Sequence, residues 1–201
     1  MTTRIVLASG NAGKLRELRQ MCAGLPVELT GQQALGVDSP PEDALTFVEN
    51  ALIKARHAAA VTGLPAIADD SGLEVPALDG RPGIHSARYA GAGASDADNI
   101  TRLLQDMREF RAAQRRARFR CVLVFLRHAA DPAPIISSGL WEGHILEAPR
   151  GDSGFGYDPV FLVAGEQCTA AELPAADKNR RSHRGQALTH LLTALEQELD
   201  R

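Results

Sequence analysis

Arg4 to Ser9 reads RIVLAS, an apolar run of strand length that breaks at Gly10, and from Lys14 onward Leu15, Leu18 and Cys22 share one helical stripe. Strand, glycine loop and helix in immediate succession point to an α/β layer architecture. The rest of the chain continues in that vein. Val48, Leu52, Ala55 and Ala59 recur at helical spacing within Leu45 to Val61, with Glu49, Asn50 and Lys54 on the opposite, polar face. Pro65 to Ala68 is a brief apolar strand that ends in Asp69-Asp70-Ser71-Gly72, which places the acids at a strand end. Ser95 and Asp98 resemble a capping box ahead of Ile100, Leu103, Leu104 and Met107. Phe119 to Leu126 and Ile135 to Trp141 are β-prone runs separated by Asp131-Pro132-Ala133-Pro134, a pattern of adjacent antiparallel strands. Tyr157 to Val163 reads as another strand. A last helix from about Arg184 aligns Leu188, Leu191, Leu192, Leu195 and Leu199. The expected fold is one α/β domain over residues 1–201, with a mixed, bent central sheet flanked by helices in two lobes around a cleft.

Composition narrows the function classes. With 201 residues, 44% hydrophobic and 23% charged, the chain suits a globular domain with a sizeable core. Lys and Arg number 22 against 25 Asp and Glu, a net charge of -3, which lacks the positive balance of a nucleic-acid coat. The scattered Cys22, Cys121 and Cys168 form neither a disulfide framework nor a metal pair, which suits a reducing cytoplasm. The start, Met1-Thr2-Thr3-Arg4, leads into too few apolar residues for a signal segment, and no run approaches the ~18 needed to span a bilayer. Secretion and a membrane partner are therefore not expected. Arg108, Arg111, Arg115, Arg116, Arg118 and Arg120 read as a solvated helix end and turn, and no function is attached to them.

Four stretches carry candidate chemistry. Ser9-Gly10-Asn11-Ala12-Gly13-Lys14 lies between a strand and a helix. Its glycines let the backbone approach a ligand, the helix start offers free N–H groups and a positive dipole end, and Lys14 adds a point charge, a combination suited to phosphates. It is not a Walker A loop, because Gly10 and Gly13 stand too close and Leu15 follows the lysine. Alone, the same residues also make a tight turn capped by Asn11. Asp69 and Asp70 point to opposite sides of an extended chain, so one is expected to face a cleft while the other bonds locally. A carboxylate facing the Lys14 loop would form a Mg²⁺-triphosphate site, although the pair would equally close a strand as an Asx turn. Finally, Phe155 sits between Gly154 and Gly156, followed by Tyr157 and Asp158, and Lys178 precedes Ser182-His183-Arg184. A ring flanked by glycines can stack on a base, and clustered Lys, His and Arg can donate to carbonyl oxygens and phosphates, which together suit an oxopurine. Singly, Phe155 is a core residue by type and Ser182 an N-cap before a solvated turn.

In order along the chain, SGNAGK, TFVENALIKA, ADDSGLEVPALDGRPGIHSARYAG, GFGYDPVF and DKNRRSHRGQAL closely resemble the inosine/xanthosine triphosphate pyrophosphatase family, from about residue 4 to 199. Asp177 stands where that family usually has Glu, and Arg181 where an apolar residue is common. The resemblance implies hydrolysis of ITP, dITP and XTP to the monophosphate and pyrophosphate, with Mg²⁺ as cofactor, by a cytoplasmic homodimer that keeps deaminated purines out of DNA and RNA. Carried over motif by motif, Ser9, Gly10, Asn11, Ala12, Gly13 and Lys14 would hold the triphosphate. Glu42 and Asp70 would bind Mg²⁺, Asp70 would accept the proton of the attacking water, and Ser71 would touch substrate. Phe155, Gly156, Tyr157, Asp158, Lys178, His183 and Arg184 would surround the purine. Glu49 and Lys54 also match family positions but read equally as ordinary surface charges, and they stay outside this site. Two alternatives share the same motifs: a pyrophosphatase for modified pyrimidine triphosphates, and a nucleotide sensor without turnover.

Overall fold

The computed structural model describes residues 3–199; Met1, Thr2, residues 200–201 and the side chains of Ala112, Gln197, Glu198 and Leu199 lie outside the described residues. Among the described residues six strands form one sheet in the order β2-β1-β3-β4-β5-β6. They are β1 (Thr3–Ala8), β2 (Val27–Gly31), β3 (Ala66–Glu74), β4 (Arg116–Leu126), β5 (Ile135–Ile145) and β6 (Phe161–Val163). β1 runs parallel to β2 and β3, and β5 runs antiparallel to β6, so the class is α/β with a mixed sheet, as the sequence pattern predicts. The helices are α1 (Ala12–Met21), α2 (Phe47–Thr62), α3 (Asp96–Asp106), α4 (Ala175–Arg181) and α5 (His183–Leu199). No helix among the described residues is long and apolar enough to cross a membrane.

The chain divides into two compact units. The first comprises Met1–Asp70, Cys121–Gly139 and Arg184–Arg201. Val6, Leu7 and Ala8 are all 0% exposed, so successive residues of β1 are buried on both faces of the sheet, the signature of a parallel strand under helices on each side. Leu7, Leu29, Ile67 and Leu123 pack there with Leu18 of α1 and Leu188 and Leu191 of α5. α1 begins at Asn11, whose Oδ1 accepts from Gly13 N at 2.8 Å and Lys14 N at 3.1 Å. α2 begins at Thr46, whose hydroxyl accepts from Glu49 N, and stops at Gly63, held at φ 67.

The second unit comprises Ser71–Arg120 and Leu140–His183. Its core gathers Leu73, Leu103, Met107, Phe119, Trp141 and Phe161. Phe119 and Phe161 lie 4.5 Å apart between ring centroids, and Trp141 and Phe161 5.4 Å. The capping box at Ser95 and Asp98 is formed in both directions, which starts α3 where the sequence predicts it.

Four sequence expectations change. β3 does not end at the acids but runs through them to Glu74, because each carboxylate finds a cation within the fold. On α2 the buried stripe is Phe47, Ala51, Ala55, Ala58 and Ala59, and it takes in Asn50 and Lys54, which are not on a polar face. Only Phe161–Val163 of the expected Tyr157 to Val163 strand is extended; Asp158–Val160 is a 3-10 turn, since Pro159 has no N–H to offer a ladder. α4 is a helix that periodicity did not reveal, being only two turns long.

The arginine run is also less solvated than its composition suggests. Arg115 is 6% exposed and donates to the main-chain oxygens of Met107, Phe110, Ile145 and Leu146. Arg118 and Arg120 share Glu74. Arg115→Met should therefore lower unfolding stability by roughly 2–4 kcal/mol, because each buried carbonyl that loses its donor costs about 1–3 kcal/mol. Chemical denaturation measures it, and Arg116→Met at an exposed position should stay within about 0.5 kcal/mol of the parent.

Candidate active site

In the first unit the site grows from two neighbouring residues on β3. Alternation along the strand sends their side chains to opposite faces. Asp69 is 0% exposed and fully engaged: Oδ2 accepts from Arg184 Nε at 2.8 Å and from the Cys121 thiol at 3.3 Å, and Oδ1 pairs with Lys14 Nζ. Burial alone would raise its carboxyl, yet the Arg184 and Lys14 cations hold it well below the usual carboxylate range. The same burial, with Asp69 beside it, pushes the Cys121 thiol well up, so that thiol is inert.

Asp70 is built differently. Its Oδ1 accepts from Lys54 Nζ at 2.7 Å, and Lys54 also lies 3.3 Å from Glu42 Oε2. Its Oδ2 is buried and meets no hydrogen-bond partner among the described residues. Burial raises the Asp70 carboxyl above its ordinary value, Lys54 and Lys14 oppose that rise, and Glu42 adds to it. The result is a carboxylate fixed at one oxygen and open at the other. Asp70 and Glu42 flank the same Lys54 ammonium, and as hard oxygen donors they have the donor chemistry that suits Mg²⁺ completed by phosphate oxygens and water. Glu49 remains at the surface, its Oε2 accepting from the Thr46 hydroxyl at 2.7 Å. Lys54, set aside as a surface charge, is only 5% exposed. The signal that would have found it is its place between Ala51, Ala55 and Ala58 on the small-residue stripe of α2.

The loop from Ser9 to Lys14 joins β1 to α1 in this same unit. Ser9 Oγ accepts from Asn11 N at 3.2 Å, and Asn11 in turn occupies the N–H groups of Gly13 and Lys14. Two amides at the helix start are thus taken by the cap, and what remains for an anion is the positive dipole end with the Lys14 ammonium. Arg184 belongs to this cluster as well. The resemblance puts it beside the base; the structure seats its guanidinium between Asp69 and Glu17 at 2% exposure.

In the second unit, Phe155 to Asp158 forms a clipped turn. Asp158 Oδ2 accepts from Phe155 N at 2.9 Å and from Lys178 Nζ at 2.6 Å, and the ammonium lies 5.0 Å from the centroid of the half-buried Phe155 ring. Gly154, at φ 82, leaves no room for a side chain: a Cβ there would fall 2.2 Å from Asp158 Oδ2. The Tyr157 side chain packs in the core cluster, its hydroxyl donating to Ser86 O at 2.8 Å. His183 stacks on Phe119 with centroids 4.8 Å apart and an 11° interplanar angle. Ser182, His183 and Arg184 are all buried, so the first turn of α5 is not solvated. Ser71, the residue after Asp70 on β3, is half-buried. Within this unit the structure brings Phe155, Asp158 and Lys178 together, and within the other it joins Lys14, Asp69 and Arg184, and Glu42, Lys54 and Asp70.

Comparison with known proteins gives the family of the chain. The Ham1 family model matches residues 5–194. A dITP/XTP pyrophosphatase of Halorhodospira halophila (strain DSM 244 / SL1) is 60% identical over 98% of this chain and 98% of its own length. One from Xanthomonas oryzae pv. oryzae is 62% identical over 93% and 94% respectively. The solved structure of a HAM1 protein from Coxiella burnetii matches with a TM-score of 0.88 at 49% identity, covering 97% of this chain and 99% of its own. That of the Staphylococcus aureus Ham1 protein matches with a TM-score of 0.84 at 38% identity, over 98% and 100%. A family model that spans nearly the whole sequence, and relatives this similar along their full length, mean that the chain belongs to the Ham1 family.

Proposed function

We propose that this chain cleaves the α–β phosphoanhydride bond of oxopurine nucleoside triphosphates, ITP, dITP and XTP, releasing the monophosphate and pyrophosphate. Relatives at 60% and 62% identity carry the name dITP/XTP pyrophosphatase, and one observation in this chain carries the mechanism. Asp70 presents a buried, open Oδ2 while Lys54 holds its other oxygen. That is the arrangement of a general base: oriented, raised toward working pH by burial, and uncommitted at the reacting atom. Asp70 takes the proton of the water that attacks the α-phosphorus, and the bond to the bridging oxygen breaks with its electron pair leaving on pyrophosphate. Lys14 and the dipole of α1 offset the charge gathering there.

The residues fit a Mg²⁺ held by Asp70 and Glu42, an ion that when bound would withdraw charge from the phosphate oxygens. Asp69 does not compete for that work, since its oxygens are engaged by Lys14, Arg184 and Cys121. At the base end Lys178 and His183 supply donors for an O6 acceptor, and the Phe155 ring offers a stacking face. Adenine carries a donor at position 6, and two donors left facing each other cost about 1–3 kcal/mol, or roughly fivefold to 150-fold in discrimination. The free thiols of Cys22, Cys121 and Cys168 suit a reducing cytoplasm. A homodimer rests on the family resemblance, and sedimentation equilibrium checks it.

Three outcomes follow from this site. Given ITP, dITP, XTP, dTTP, UTP and ATP with excess Mg²⁺, the protein should release pyrophosphate from the first three at kcat/KM values at least about tenfold above the others. Preference for the pyrimidines, or orthophosphate as product, would refute the assignment. Asp70→Asn keeps the shape but not the base, so kcat should fall by about 10² to 10⁴ at saturating Mg²⁺. Lys54→Met removes the cation that opposes the burial-driven rise of Asp70. The base is then protonated to higher pH, so the acid limb of kcat/KM should move upward in pH; an unmoved limb would mean that Lys54 does not govern Asp70.

A further inference from the structure

The turn that carries Phe155 has little stiffness of its own. Gly154 and Gly156 stand at φ 82 and φ 61, so glycines in left-handed backbone flank the ring on both sides. Its conformation is therefore set by what holds it. Lys178 and Tyr157 fix the far end, through Asp158 and Ser86 O. The peptide between Phe155 and Gly156, which sets the direction of the ring, is held by another bond: Gly156 N donates to Asp96 Oδ2 at 2.6 Å, across sixty positions of sequence.

Asp96 is itself well placed to act as an anchor. It is the first residue of α3, directly after Ser95, whose capping box with Asp98 fixes the start of the helix. Asn99, one turn on, is 3% exposed; its Oδ1 accepts from Ala90 N at 2.8 Å and its Nδ2 donates to Ala87 O at 3.3 Å. That ties the head of α3 to the 3-10 turn Gly83–Arg88, which also presents Ser86 O to Tyr157. The Gly156 and Tyr157 tethers thus rise from one braced frame. The cap of α3 is already completed by Ser95 and Asp98, so Asp96 is not needed to form it.

We propose that Asp96 is a positioning residue of the purine site: by accepting the Gly156 N–H it fixes the Phe155–Gly156 peptide, and with it the ring against which the base stacks. This rests on the oxopurine reading of Phe155. A charge-assisted hydrogen bond to a carboxylate is the stronger kind, so its loss should be visible in substrate affinity.

The test compares wild type, Asp96→Ala and Asp96→Asn with ITP, using pyrophosphate, which has no base, as a competitive inhibitor. Asp96→Ala should raise KM for ITP about tenfold. Its kcat and its inhibition constant for pyrophosphate should stay within about twofold of wild type. Asp96→Asn keeps an oxygen acceptor and should return KM to within about threefold of wild type. The melting temperature of Asp96→Ala should fall by no more than about 3 °C, as for an exposed first-turn charge. A wild-type KM in Asp96→Ala, or weakening of ITP and pyrophosphate in step, overturns this inference alone. A wild-type protein that leaves ITP intact overturns the oxopurine reading, and this inference with it.

Discussion

Two adjacent carboxylates in the middle of a buried strand are the constraint on which the first unit depends. Placed side by side in β3, Asp69 and Asp70 would repel each other and forfeit their hydration, so the fold has to supply cations on both faces of the sheet. It does so by separate means. Lys14 from the first loop and Arg184 from the start of α5 meet Asp69, and Lys54 from α2 meets Asp70. Three segments distant in sequence are thereby fixed to one strand, and β3 continues through both acids instead of ending at them.

The two solutions differ in completeness, and that difference is where chemistry enters. Asp69 is saturated by an arginine, a lysine and a thiol, which makes it a structural anion that ties the Ser9–Lys14 loop and α5 to β3. Asp70 receives one lysine and keeps Oδ2 open, a buried polar atom the fold leaves unsatisfied. Such an atom is tolerated where a ligand or a proton is to be taken up. Glu42, at the rim of the same lysine, adds the second oxygen donor that a hard cation would use.

The second unit solves a different problem, that of holding an aromatic face accessible without letting it wander. Phe119, Trp141 and Phe161 supply the mass of the core, and His183 lies flat on Phe119. Phe155 stays outside that cluster, half-buried beneath the Lys178 ammonium, with Asp158 accepting from both the Phe155 main-chain N–H and the lysine. Asp96 adds the tether on the peptide next to the ring.

Local chemistry made several elements legible in the sequence: the strand and glycine turn from Arg4 to Lys14, the Ser95 cap, the leucine stripe of α5, and the motifs that mark the family. These depend on neighbours within a turn or two, so spacing and side-chain type suffice to reveal them. What the sequence did not disclose are the partners chosen across long separations. Lys54 looked like a surface charge and Arg115 like part of a solvated run, yet both are buried. Tyr157 lies in the core cluster, with its hydroxyl on Ser86 O. Arg184 pairs with Asp69, 115 positions away, a partner that spacing does not reveal. A lysine or arginine reads the same in sequence whether it faces water or a buried carboxylate; only the tertiary fold, by removing water from around Asp69 and Asp70, decides which cations are drawn inside and which acid is left with an open oxygen.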